Sequence, residues 1–227
     1  METLKLVVFD VDGTLIKVNS SWQFLHEKLG TWHKGKQHAK QFHQGTITYE
    51  EWAKLDASLW KGLPIKRIQR IIDHIPYTDR TQDAITTLKQ NNLKTILLSA
   101  GLTLITERIK RETKVDDSIA NELIIQNGLL TGDVKVNVSF HNKDKALYHM
   151  LQKFNTRLTE CAAVGDDETL TPLFKKVGLG IAFNPTEKTV EKHAHVVIKS
   201  NDLRQVLPHL LKQRNSRIHY NSKQNLS

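Results

Sequence analysis

Residues Leu6 to Leu15 read LVVFDVDGTL, an apolar run that ends on two carboxylates, Asp10 and Asp12, with Gly13 and Thr14 directly behind them. One carboxylate in such a place can attack phosphorus as a nucleophile. A second can carry the proton of the leaving group and later that of the attacking water. Two anions repel a phosphate ester, so this chemistry calls for a hard cation such as Mg²⁺, held by carboxylate and backbone oxygens. Taken alone, Asp-x-Asp-Gly is equally the pattern of a strand that ends in a solvated turn.

Three more stretches carry matching chemistry. The run KTILL leads into Ser99-Ala100-Gly101, where a hydroxyl and backbone N–H groups ahead of a helix would cradle a phosphate; Ser in that place is also a common helix cap. Lys143 opens a helical pattern and could offset the charge of a phosphoryl group in its transition state, with Lys145 as a competing candidate. Finally, CAAV runs into Gly165-Asp166-Asp167, again carboxylates at the end of an apolar run and suited to Mg²⁺.

The elements that must hold these groups follow from the periodicity. A short β-branched and aromatic run without polar alternation reads as a parallel strand covered on both faces. Extended alternation would aim Asp10 and Asp12 the same way. In open α/β sheets ligands bind beyond the C-terminal ends of strands, which is where these carboxylates fall. Residues 17–78 hold helical patterns instead, among them Trp22/Leu25/Leu29, Trp52/Leu55/Leu59 and Ile65/Ile68/Ile72. From residue 79 helices over 81–90 and 104–112 alternate with strands over 94–98, 161–164, 179–182 and 195–198, and Asn127-Gly128 marks a hairpin within 124–136. The expected layout is an α/β core of mostly parallel sheet over 1–16 and 79–212, a helical module over 17–78, and a disordered tail over 213–227.

Composition narrows the partners. The net charge is +9, but the basic groups at 34–40, 66–70 and 108–114 lack interleaved stacking aromatics, so nucleic acid is not the expected partner. The charge would still draw anionic substrates inward. No stretch approaches the roughly 18 apolar residues of a membrane span, and strand material begins at once with no signal peptide, so a soluble cytoplasmic protein is expected. Cys161, the single cysteine, cannot form an internal disulfide and reads as packing. His26, His33, His38 and His43 do not build one metal face by spacing and read as surface residues of the helical module.

FDVDGTL, LLSAG, Lys143 and VGDD, in this order and spacing, resemble the four motifs of the haloacid dehalogenase superfamily of aspartate-nucleophile phosphatases. Within it the chain is most similar to the phosphoserine phosphatase group, in GTITYEEW, KGLP, LIIQNGLLTGDV and LFKKVGLGIAFNP. The resemblance implies a Rossmann-like core with a four-helix cap inserted after the first strand. It implies Asp10 as nucleophile, Asp12 as general acid and base, Ser99, Ala100 and Gly101 with Lys143 around the phosphoryl group, and Mg²⁺ on Asp10, the Asp12 carbonyl and Asp166. The pattern prefers Lys143 over Lys145. Dehalogenases lack an acid at the place of Asp12, since a halide needs no proton, so ester hydrolysis is implied.

Two departures stand out. The group's fourth motif carries an amide and a further acid where Thr169 and Leu170 stand here, leaving Asp167 to fill the supporting role beside the metal. The Glu and Arg that recognise phosphoserine in the group correspond to Asn19 and Asp56, which reverses a charge and makes phosphoserine a doubtful substrate. Trp22 and Trp52 join Asn19 and Asp56 as candidate specificity residues. Trp52, Asp56 and Trp60 form one helical stripe that reads either as packing or as a pocket lining, and Asp56 facing the pocket would favour a cationic or hydroxyl-rich leaving group. The expectation is a Mg²⁺-dependent hydrolase of a small phosphorylated metabolite. Alternatives are transfer to a second alcohol from the same site, or a phosphate-binding regulatory protein.

Overall fold

The computed structural model describes residues 2–212; the tail expected over 213–227 lies outside the described residues. Seven strands are joined in one sheet: β1 Leu6–Phe9, β2 Lys94–Leu102, β3 Asp117–Gln126, β4 Leu129–Lys135, β5 Cys161–Gly165, β6 Leu179–Phe183 and β7 Val196–Ile198. Their order across the sheet is β4-β3-β2-β1-β5-β6-β7, with every pairing parallel except β3 with β4. That pair is the Asn127-Gly128 hairpin, both turn residues at positive φ as a tight reversal requires.

The chain leaves β1 toward β2 on one side and later returns to β5 on the other. This reversal opens a crevice between the C-terminal ends of β1 and β5. Each face of the sheet is sealed. Val7, Phe9, Leu97, Val164 and Ile181 pack into one apolar cluster, and Leu6, Val8, Ile96, Ala163 and Ala182 into another. Period-two alternation with both faces apolar is what makes these strands continuous hydrophobic runs.

Helices accompany the sheet on both faces. Four precede β2 in a row: α1 Ser21–Leu29, α2 Trp32–His43, α3 Tyr49–Ser58 and α4 Ile65–Asp73. α5 Thr81–Gln90, α6 Thr103–Thr113, α7 Lys143–Lys153, α8 Thr171–Phe174 and α9 Lys188–His193 follow. Ser20 caps α1 by accepting from the Gln23 N–H at 3.2 Å, and Thr48 with Glu51 makes a capping box for α3. The fully buried Trp60 stacks on Trp22 from α1, centroids 5.4 Å apart. The loop between α3 and α4 is tied to the hairpin by backbone bonds: Gly62 N to Leu130 O, Leu130 N to Leu63 O and Ile65 N to Gly128 O, at 2.8 to 3.0 Å. The first four helices are thereby held above the crevice.

Candidate active site

Asp10 is the first residue beyond β1, and its N–H donates to Val164 O on β5 at 2.9 Å. Asp166 is the first residue beyond β5. Parallel pairing of Phe9 with Val164 therefore sets the two carboxylates side by side at the crevice. Asp12 faces the same cavity, though β1 has already ended; a turn at Gly13, rather than strand alternation, places it. Gly13 has φ +70°, and a Cβ there would fall 2.1 Å from Asp166 Oδ2. Glycine alone allows both the left-handed turn and the close approach of Asp166.

Every carboxylate in the site has defined partners. Asp10 Oδ1 accepts from the Val11 N–H at 2.8 Å and Oδ2 from Lys143 Nζ at 2.5 Å. Thr14 Oγ1 donates to Asp166 Oδ1 at 2.9 Å. Ser21 donates both its N–H and its hydroxyl to Asp12 Oδ2, each at 2.8 Å, while Asp12 Oδ1 is buried with no partner. Asp12 thus keeps one oxygen oriented by α1 and the other free for a proton. Lys143 is buried and reaches Asp10, whereas Lys145 is exposed.

Ser99, Ala100 and Gly101 stand just ahead of a helix, as expected, but are themselves still strand. β2 continues through them to Leu102 with a register shift after Leu98, and α6 begins at Thr103. The Gly101 N–H donates to Ser99 Oγ at 2.9 Å. A Cβ on Gly101 would fall 2.6 Å from Ser21 Oγ, 3.0 Å from Ser99 Oγ and 3.3 Å from Asp12 Oδ2, so three polar groups converge where glycine leaves space. The carbonyl of Ala100 accepts from Trp22 Nε1, Tyr49 Oη and Asn121 Nδ2 at 3.2, 2.8 and 2.8 Å.

Burial and crowding set the electrostatics. Burial, with the charge of Asp167, pushes Asp10 up to about 6 against the opposing pull of Lys143. Burial also raises Asp12, partly offset by Ser21. Asp166 is pushed up to about 8 by burial, then by Asp10 and Asp167. Burial works against the charge of Lys143, but Asp10 and Asp167 outweigh it and its pKa is raised. Two crowded carboxylates made reluctant to ionise, beside the backbone of residues 12 and 13, fit a hard divalent cation. Among the described residues no three His, Cys, Asp or Glu side chains are arranged to hold a metal by themselves, so such a cation would take its other oxygens from the Asp12 carbonyl and water. Asp167 lines the same cavity, and its Oδ1 accepts from both the N–H and the hydroxyl of Thr169, at 3.0 and 2.5 Å. Leu170 is fully buried and packs so close to Gly165 that a Cβ there would meet Leu170 Cδ1 at 1.9 Å.

The cavity over these groups encloses about 80 Å³ and is lined on the side of the first four helices by Asn19, Trp22, Trp52 and Asp56. Trp52 is half-buried and stacked on Phe42 at 4.8 Å, so it serves as packing and lining together; Trp60 is packing alone. Asp56 is buried, with His38 Nδ1 at 2.7 Å from Oδ1 and His26 Nε2 at 3.2 Å from Oδ2. Two of the four histidines are therefore not surface residues. Their spacing hid this because they reach one carboxylate from α1 and α2 across to α3, not from a single helix face. Thr14, Ser21, Tyr49, Asn121 and Phe140 were also missed. Only Thr14 and Ser21 had a local signal, as neighbours of the Asp pair and of the helix cap.

The model of the haloacid dehalogenase-like hydrolases matches residues 7–169. The phosphoserine phosphatase of Methanocaldococcus jannaschii is 31% identical over 207 residues, covering 91% of this chain and 97% of that protein. A solved phosphoserine phosphatase described as a phospho-aspartyl intermediate analogue superposes with TM-score 0.77 at 29% identity, over 92% of this chain and 100% of that one. A substrate-bound phosphoserine phosphatase complex gives TM-score 0.78 at 28% identity with the same coverage.

Proposed function

Because the chain belongs to the haloacid dehalogenase-like hydrolases and is a phosphatase of that family, we propose that it hydrolyses small phosphomonoesters through an aspartyl-phosphate on Asp10. The observation that carries this reading is the buried contact of Lys143 Nζ with Asp10 Oδ2, in one cavity with Asp12 and Ser99.

An Asp10 oxygen attacks phosphorus as the bond to the leaving oxygen breaks. Asp12, whose raised pKa suits it to carry a proton, gives that proton to the departing alkoxide. Asp12 then takes a proton from water as the water oxygen attacks phosphorus, and the bond to Asp10 breaks to release orthophosphate. Ser99 Oγ and the Gly101 N–H, now bonded to each other, turn to the phosphoryl oxygens, and Lys143 neutralises the charge that develops on them. Asp10, the Asp12 carbonyl and Asp166 would hold Mg²⁺, which would supply the positive charge that offsets the repulsion between these carboxylates and the incoming phosphate. Asp167 acts on Lys143 through its charge, in the place of the acid absent at Leu170. Residues 17–78 serve as a cap that opens to admit substrate and closes to exclude water.

The test uses p-nitrophenyl phosphate and the smaller acetyl phosphate with MgCl₂. The expected result is turnover that Asp10→Asn lowers on the order of 10³-fold or more. Wild-type protein inactive on both with Mg²⁺, Mn²⁺ and Co²⁺, or an Asp10→Asn variant as active as wild type, overturns the reading.

A further inference from the structure

The end of the cavity away from Asp10 combines aromatic walls with one buried carboxylate. Tyr49, Trp52 and Phe140 meet with centroids 5.3 to 5.9 Å apart at steep mutual angles, so they line it from different directions, and Trp22 adds a fourth ring. Asp56 is the charged side chain at this end.

The hydrogen bonds around Asp56 decide how much of it is left open toward a ligand. Trp60 Nε1 can only donate, and it donates to Thr31 Oγ1 at 3.2 Å. Thr31 Oγ1 also lies 2.7 Å from His26 Nδ1. His26 Nε2, 3.2 Å from Asp56 Oδ2, makes no hydrogen bond, and His38 Nδ1 lies 2.7 Å from Oδ1. One hydrogen bond, to His38, fixes the Asp56 carboxylate, and about three of its roughly four lone-pair directions stay free.

A carboxylate set among aromatic faces is a site for a cation. The cavity lining offers no Arg, and its one Lys, Lys143, is engaged by Asp10, so a carboxylate on the leaving group has no cation to meet. A sugar phosphate fits no better. Asn19, Ser20 and Asp56 are too few polar partners for the hydroxyls of a sugar, most of which would press on rings, so the pocket suits a short leaving group.

We propose that the preferred substrate is the phosphomonoester of a short amino alcohol without a carboxylate, its ammonium group held by Asp56 within the Trp22, Tyr49, Trp52 and Phe140 rings. This rests on the hydrolase reading above. The reaction balance is the same, with the amino alcohol leaving on the proton from Asp12.

The test compares three probes on the wild-type protein with Mg²⁺: phosphoethanolamine, its neutral isostere n-propyl phosphate, and phosphoserine, which adds a carboxylate. Phosphoethanolamine should exceed each of the others in kcat/KM by about tenfold or more, as expected for one desolvated cation contact. Asp56→Asn should reduce its advantage over n-propyl phosphate to within about threefold. Equal rates on phosphoethanolamine and n-propyl phosphate, or preference for phosphoserine, overturn the proposal while leaving the hydrolase intact. If no ester is turned over, the hydrolase reading fails by itself. Calorimetric binding of phosphoethanolamine against n-propyl phosphate then decides the ligand class, with equal affinity refuting it. The wild-type comparison decides the matter should Asp56→Asn fail to fold.

Discussion

Raising the pH should destabilise the metal-free protein, and Asp166 is the main reason. Its carboxyl ordinarily titrates at 3.8 and is pushed up to about 8 by burial, then by Asp10 and Asp167. Between pH 5 and 8 the unfolded chain has lost this proton while the folded protein keeps it. The folded state binds more protons, so unfolding free energy falls as pH rises, and the contribution is lost as the pH passes through the folded value. One proton over three pH steps is worth at most ~4 kcal/mol. Because Asp10, itself raised to about 6, shares the same repulsion, about half of that is a fair expectation. For a chain of this length ~2 kcal/mol lowers Tm by about 4 to 8 °C. Glu160, held down at about 2 by Lys5 and Arg157, titrates below this window.

The assay is thermal melting of chelator-treated protein from pH 5 to 8, beside Asp166→Asn, which keeps the shape and carries no charge. The wild type should lose stability relative to the variant across the window. Millimolar Mg²⁺ should restore the wild type at pH 8 and leave the variant unmoved, since only a ligand that binds the folded state shifts the equilibrium. Melting temperatures that fall in parallel for the two proteins, or a Mg²⁺ response of equal size in both, would refute the assignment of these carboxylates to a cation.

Two substitutions test the supporting groups. Ser21→Ala removes one of two bonds that orient Asp12, and kcat on acetyl phosphate should fall about tenfold with KM nearly unchanged; a change confined to KM would show that Ser21 only binds substrate. Asn121→Ala strips partners from Ala100 O, Tyr49 Oη and the N–H groups of Asn137 and Val138, which should cost ~3 to 5 kcal/mol of unfolding free energy by chemical denaturation; a loss under 1 kcal/mol would mean the network is not coupled to folding.

What the sequence by itself determined is what depends on short stretches of chain. An apolar run of strand length followed by acids marks Asp10 and Asp166 because a parallel strand buries its body and exposes its C-terminal end, and both facts are written within a few residues. The first four helices are legible for the same reason, since their apolar spacing and the Ser20 and Thr48 caps are local. The likeness of LLSAG to a family motif located Ser99, and periodicity placed the helix behind it to within a residue, but the extension of β2 to Leu102 was missed, because a strand irregularity follows from pairing with β3 and not from local composition.

Tertiary structure alone decided the rest. Which lysine reaches Asp10 depends on how α7 packs beside β2, and the fate of Asp167 depends on the turn that Thr169 closes beneath the site. His26 and His38 meet Asp56 only once three helices have packed, and Asn121 on β3 joins Ala100 on β2 to Tyr49 on α3. Side chains brought together from distant segments carry no mark in their spacing, because spacing reports the face of one element and not which other element will cover it. The carboxylates proposed to act at phosphorus were therefore readable from the chain. The shape and charge of the leaving-group pocket were not.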